Sequence, residues 1–173
     1  IRNAQALEAL ANADTLVLDK TGTLTQGRPV LSGIVSNGIS ETELLTLAAS
    51  LEQGSEHPIA AAIVAGARER GLTLQKADNF SAVIGQGAHA DIAGHHVIAG
   101  NARLMQERGV DATAAHAQAE RLATSGQTPL FIAIDGKLAG LLSVSDKVKP
   151  QAREAIAELK SLGLDIIMAT GDR

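Results

Sequence analysis

Two short apolar runs at opposite ends of the sequence set the strongest limit on its fold. The first, Asp14-Thr15-Leu16-Val17-Leu18, reads as a buried strand and runs directly into Asp19-Lys20-Thr21-Gly22-Thr23-Leu24-Thr25. The second, Leu164-Asp165-Ile166-Ile167-Met168-Ala169, reads the same way and runs into Thr170-Gly171-Asp172. Each ends on polar residues and a glycine, and open α/β sheets place their ligands at the carboxyl ends of parallel strands. Asp19 has the chemistry of a phosphoryl acceptor, with hydroxyls and main-chain N–H groups for the phosphoryl oxygens and Lys20 for charge. A surface turn after a strand is the competing explanation for any bare Asp-Lys-Thr. Thr170-Gly171-Asp172 has the same two readings: a hydroxyl and a close-approaching backbone for a phosphoryl group, or a solvated turn.

The intervening chain has a different pattern. Ser40 followed by Glu43 has capping-box spacing ahead of Leu44, Leu45, Leu47, Ala48 and Leu51, which predicts an amphipathic helix. Pro58 opens a second helix that stops at Gly71. Strands are expected at 80–84, 88–93 and 96–99, and helices after Asn101 and over 112–124. Pro129 to Ile134, Asp135-Gly136 and Leu138 to Val144 make a hairpin signal. Pro150 opens a helix that Gly163 closes, and Ala4 to Ala11 has helical spacing ahead of the first strand. Gly27 and Pro29 mark a change of direction. The segments 1–26 and 147–173 therefore belong together as one parallel α/β domain, with 27–146 inserted as an α+β domain of antiparallel strands and helices.

Composition removes several alternatives. The 173 residues carry a formal net charge of −4 and no basic stripe, which argues against a nucleic-acid partner. With no cysteine there is no disulfide framework, thiolate metal site or thiol nucleophile. No apolar run approaches the roughly 18 residues a membrane-spanning helix requires. Only 1% of residues are aromatic against 45% hydrophobic, so the core must be aliphatic and alanine-rich.

Ser55-Glu56-His57-Pro58 precedes the second helix. Pro58 keeps His57 out of helical geometry and displays its imidazole at the helix start. There the ring can stack on a purine while Glu56 accepts from an exocyclic amine; a plain helix start with an exposed histidine is the alternative. Gly85-Gln86-Gly87 lacks the context of a dinucleotide fingerprint and reads equally as a tight turn. Asn101, after Gly100, reads as a helix cap. His95 and His96, being adjacent on a strand, point to opposite faces and do not share an ion. His89 and His116 read as ordinary surface or core-edge histidines. No Walker-type string occurs, so nucleotide binding would not use a P-loop.

In chain order, the Asp19–Thr25 motif, Ser-Glu-His-Pro, the glycine pair, Gly-Asn and Thr-Gly-Asp resemble the heavy-metal branch of the P-type cation-transporting ATPases. Ser-Glu-His-Pro is most similar to the copper-type members. The resemblance covers essentially the whole chain. It implies a haloacid-dehalogenase-like, parallel-sheet phosphorylation domain carrying an inserted nucleotide-binding domain, on the cytoplasmic side of an integral membrane protein. This region would not itself enter the membrane. It further implies ATP and Mg2+ as cofactors, and the transmembrane and actuator domains of the same protein as partners.

By the same resemblance Asp19, Lys20, Thr21, Thr170, Gly171 and Asp172 serve phosphoryl transfer. Glu56, His57, Gly85, Gly87, Gly100 and Asn101 bind nucleotide, and Asp19 with Thr21 supplies part of a magnesium shell. Arg173 stands where relatives often carry Asn. The remaining acidic magnesium cluster would lie beyond Arg173, so this stretch is expected to bind ATP without full turnover. Haloacid-dehalogenase-type phosphatases place a second Asp two residues after the nucleophile as general acid and base. Thr21 cannot do that work, which favours a phospho-enzyme that persists long enough to drive conformational change. A zinc- or cadmium-type transporter and a capped phosphatase are the other readings; Thr21 counts against the latter.

Overall fold

The computed structural model describes residues 13–169, except for the side chains of Lys20 and Thr21. The helix expected over Ala4–Ala11 and the Thr170-Gly171-Asp172 triplet lie outside the described residues. The chain divides into two compact units, one formed by the chain up to Arg28 with the chain from Asp146 onward, the other by Pro29–Ser145.

In the first unit, β1 (Thr15–Asp19) pairs in parallel with β8 (Asp165–Ala169), Asp19 lying opposite Ala169. A single turn of π-helix, Lys20–Leu24, follows β1 directly, a rare geometry that is frequent at functional positions. Helix α5 (Ala152–Ser161) begins two residues after Pro150 rather than at it, and presents Ile156 and Leu159 half-buried. The sequence reading of β1 and β8 as buried strands needs correction. Leu16, Leu18 and Ile166 are half-buried, but Val17, Ile167 and Met168 are each more than half exposed. Val17 and Ile167 are partners on one face and Met168 points to the other, and no described residues cover these three side chains.

The second unit is built on a six-stranded sheet ordered β2–β7–β6–β5–β4–β3. Its strands are β2 (Thr25–Ser36), β3 (Ala77–Val83), β4 (Gly87–Ile92), β5 (His95–Gly100), β6 (Thr128–Ile134) and β7 (Lys137–Val148). The four pairings from β3 through β7 are antiparallel. Gly27 and Pro29 fall at the division between the units, yet β2 runs continuously past them. Proline is tolerated there because β2 is an edge strand, where a missing N–H breaks no ladder. The boundary between the units thus falls inside two long strands, β2 and β7.

Two cores flank this sheet. On one face α1 (Glu41–Glu52) and α2 (Pro58–Glu69) bury Leu44, Leu45, Leu51 and Ile63 against Ala88, Ala90, Ala99, Ile132 and Leu142. On the other, α3 (Ala102–Glu107) and α4 (Thr113–Thr124) bury Leu104, Met105 and Ala119 against Ile98, Phe131 and Leu141. Alanines on the sheet let the α1–α2 layer approach closely, the packing consequence of a sequence with two phenylalanines and no tryptophan or tyrosine. Ser40 caps α1 as its spacing predicts, accepting from the Glu43 N–H at 3.1 Å.

Candidate functional site

The chain from β1 into β2 is held in shape by its own unit. Asp146 Oδ2 accepts from the buried Thr25 hydroxyl at 2.6 Å and the Gly27 N–H at 3.0 Å, and Oδ1 from the Arg28 N–H at 3.2 Å. The Thr25 oxygen in turn accepts from the Gly22 N–H at 3.1 Å. Lys149 Nζ donates to the Gly22 carbonyl at 2.7 Å, and the Lys149 N–H to the Leu24 carbonyl at 2.8 Å. The middle and the far end of the turn after Asp19 are therefore tied to the segment 146–149, while Asp19 itself is exposed at the carboxyl end of β1. A charged acceptor that takes three donors is the strong kind of hydrogen-bond anchor. Asp146 and Lys149 thus form the frame of the turn.

In the second unit, His57 is the N-cap of α2: its Nδ1 accepts from the Ile59 N–H at 3.1 Å. An accepting Nδ1 places the ring proton on Nε2, so the exposed imidazole presents an N–H donor and an aromatic face outward. Ser55 Oγ accepts from the His57 N–H at 3.3 Å and fixes the approach to the cap. Glu56 is exposed beside it.

A residue that sequence reasoning missed lies one turn earlier. Glu52, the last residue of α1, is only 6% exposed, and burial pushes its carboxyl up to about 7, a bond with the Ser55 side chain offsetting part of the rise. A buried carboxyl poised near neutrality, bonded to the segment that leads into His57, is a candidate functional group. The signal was present in the sequence. Leu45, Ala48 and Glu52 share one face of the helix by their spacing of three and four.

The glycine pair and Gly100-Asn101 come together. Gly87 is paired with Gly100 across β4 and β5, the Asn101 N–H donates to the Gln86 carbonyl at 2.8 Å, and Asn101 Nδ2 donates to the Gly85 carbonyl at 3.1 Å. Asn101 also caps α3, its Oδ1 accepting from the Leu104 N–H at 3.0 Å. A Cβ on Gly87 would lie 2.1 Å from the Ala99 carbonyl oxygen, and one on Gly100 would lie 2.5 Å from the Gln86 carbonyl oxygen. The close approach at these two glycines is thus between neighbouring strands. Gly85 differs: its φ is +70° and a Cβ there would meet nothing within 4 Å, leaving room beside the turn. Gln86 Oε1 is buried with no hydrogen-bond partner among the described residues. On the other side of the turn from Pro58, Gly54 packs on the Phe80 ring of β3, tying the α1–α2 connection to the hairpin that carries Gly85.

A family model for haloacid dehalogenase-like hydrolases matches residues 13–173. The chain belongs to that family. It is 48% identical over 172 residues to a copper-exporting P-type ATPase of Legionella pneumophila, covering 99% of this chain and 23% of that protein. Among solved structures it resembles a zinc-transporting PIB-type ATPase in the E2.Pi state, with a TM-score of 0.78 and 37% identity over 97% of this chain and 27% of the other. It also resembles the catalytic domain of the CPx-ATPase CopB-B, from a study of conformational change on nucleotide binding. There the TM-score is 0.74 and the identity 27%, over 100% of this chain and 60% of the other. The chain spans about a fifth of the length of the curated relatives it matches. The similarity to heavy-metal P-type ATPases extends along the whole chain, as the ordered motifs implied, and so does a fold that combines a haloacid dehalogenase-like part with an antiparallel α+β part. No helix among the described residues is long and apolar enough to cross a membrane.

Proposed function

We propose that this chain is the ATP-binding and aspartyl-phosphorylation region of a copper(I)-type P-type ATPase, on the cytoplasmic side of the membrane. The observation that carries the reading is Asp19, exposed at the carboxyl end of a parallel strand in a turn framed by Asp146 and Lys149. A frame of this kind holds a nucleophile in place without blocking it. An Asp19 oxygen forms the new O–P bond as the bond from the γ-phosphorus to the bridging oxygen breaks and ADP leaves. Lys20 and Thr21 stand next to Asp19 in sequence to serve the phosphoryl group, with Thr170, Gly171 and Asp172 from the end of β8. Mg2+ would be held in part by the Asp19 carboxylate and the Thr21 carbonyl, and supplies charge neutralisation to the transferring phosphoryl. Hard oxygen donors fit that ion, and it commonly keeps several waters.

The adenine is read in the second unit. The His57 imidazole stacks on the base with Nε2–H outward, and Glu56 lies beside it. The buried Glu52 carboxyl, able to donate when protonated and accept when ionised, suits the amine and ring-nitrogen pair of an adenine edge. Gly85, with its open surroundings, and Asn101 line the site, and Gly87 and Gly100 support it through the close approach of β4 and β5. The partners are the transmembrane and actuator domains of the same protein. Copper is favoured over zinc or cadmium by the similarity to copper transporters and by Ser55-Glu56-His57-Pro58.

The test is to incubate the whole transporter with γ-labelled ATP and Mg2+ and quench in acid. A hydroxylamine-labile label that disappears in Asp19→Asn supports the reading. A label that persists in Asp19→Asn overturns it.

A further inference from the structure

The β4–β5 hairpin carries a histidine pair that the proposed nucleotide chemistry leaves unused. Asp91 lies directly opposite His96 and His89 opposite Ile98, so His89, Asp91, His96 and Ile98 share one face of the sheet. Ile98 belongs to the α3–α4 core on that face, whereas α1 and α2 cover the opposite one. The pair is therefore separate from the α1–α2 connection that carries Glu52 and His57.

The sequence directs attention to the adjacent His95 and His96, which point apart. His95 binds Asp135 instead, its Nδ1 lying 2.7 Å from Oδ2. The residues that converge are His89 and His96, with ring centres 5.4 Å apart and planes tilted by 50°. That tilt is no stacking geometry. Two imidazoles bound through nitrogen at about 2.0–2.1 Å to one tetrahedral ion have ring centres about 5 Å apart. The observed spacing is close to that value.

The surroundings are those of a prepared ligand. His96 Nδ1 is 2.9 Å from Asp91 Oδ1, and Asp91 Oδ2 accepts from Asn79 Nδ2 at 2.7 Å. As a carboxylate Asp91 only accepts, so it takes the Asn79 amide N–H on one oxygen and the His96 Nδ1–H on the other. That leaves the Nε2 lone pair of His96 for a metal, the carboxylate–histidine–metal arrangement that orients the ring and raises its basicity. Both rings are half-buried and reachable from solvent.

We propose that His89 and His96 form a two-imidazole site for a borderline divalent transition-metal ion such as Zn2+, Ni2+ or Cu2+, with Asp91 as the residue that positions His96. Among the described residues no three metal-ligating side chains converge, so water completes the coordination shell. The affinity order follows ligand-field preference, Cu2+ above Ni2+ and Zn2+.

The test is a Zn2+ titration of the 173-residue chain followed by imidazole 1H–15N resonances. The expected result is one saturable event that moves the His89 and His96 ring signals. His89→Ala and His96→Ala each weaken it at least about tenfold, and Asp91→Asn, which leaves both ligands in place, weakens it about tenfold as loss of an outer partner does. His95→Ala and His116→Ala leave it unchanged. Should a histidine variant fail to fold, the resonances that move in the unaltered chain still decide. No saturable shift up to millimolar Zn2+, or shifts centred on His57, His95 or His116, overturns the proposal.

Discussion

Replacing Glu52 by Gln should make the chain more stable above neutral pH and change little in acid. The carboxyl ordinarily titrates at 4.5 and in the fold at about 7, because burial penalises its charged form. A raised value means the folded state binds more protons than the unfolded state between these two pH values. Stability is then fully present below pH 4.5 and falls as pH rises, until the whole penalty is felt above about 7. At about 1.4 kcal/mol per pH unit, that gap comes to about 3 kcal/mol. Gln keeps the shape and can still bond with the Ser55 side chain, but never ionises. Urea unfolding of both proteins at pH 5 and pH 8 is the assay. At pH 5, just above the ordinary value, the Glu52→Gln protein should be more stable by less than about 1 kcal/mol, and at pH 8 by up to about 3 kcal/mol. A constant offset at both pH values would refute the reasoning, since it would mean that Glu52 does not titrate in that window.

Three more perturbations have defined outcomes. His57→Asn should preserve the α2 cap and stability yet weaken ATP binding, whereas His57→Ala should also lose about 1 kcal/mol of stability; equal ATP affinity in all three proteins would remove His57 from the site. Asp146→Ala leaves the buried Thr25 hydroxyl and two N–H groups without their carboxylate, at a cost of about 1–3 kcal/mol. It should lower phosphorylation of Asp19 in the whole transporter without altering nucleotide affinity, and a loss of affinity measured by calorimetry would contradict that assignment. Gly87→Ala would drive a methyl group into the Ala99 carbonyl and cost at least about 2 kcal/mol, read as a lowered thermal midpoint; an unchanged midpoint would refute the close approach.

Much of this arrangement was legible in the sequence because local chemistry and tertiary structure agree there. Ser40 with Glu43, Pro58 and Asn101 each mark a helix start that the fold uses, and Asp135-Gly136 turns β6 into β7. The low aromatic content correctly implied an aliphatic, alanine-rich core. What stayed hidden depends on partners distant in sequence. The Asp146 anchor joins residues 118 to 121 positions apart, which no local pattern reveals. The His89–His96 pair follows from the register set by the Ala93-Gly94 turn, and a one-residue slip would have separated them. Glu52 is a charged residue at a helix end, where exposure is the rule, yet its spacing puts it on the buried face. The glycines at 87 and 100 suggested room for a ligand, and the structure gives that space to a neighbouring strand.

An ATP titration of the 173-residue chain, followed residue by residue by 1H–15N NMR, tests the central claim most directly. The account predicts saturable shifts at Glu52, Glu56, His57, Gly85 and Asn101, with a dissociation constant of order millimolar for a net binding energy of about 4 kcal/mol. Saturable shifts confined to residues elsewhere, or none up to that concentration range, would contradict it.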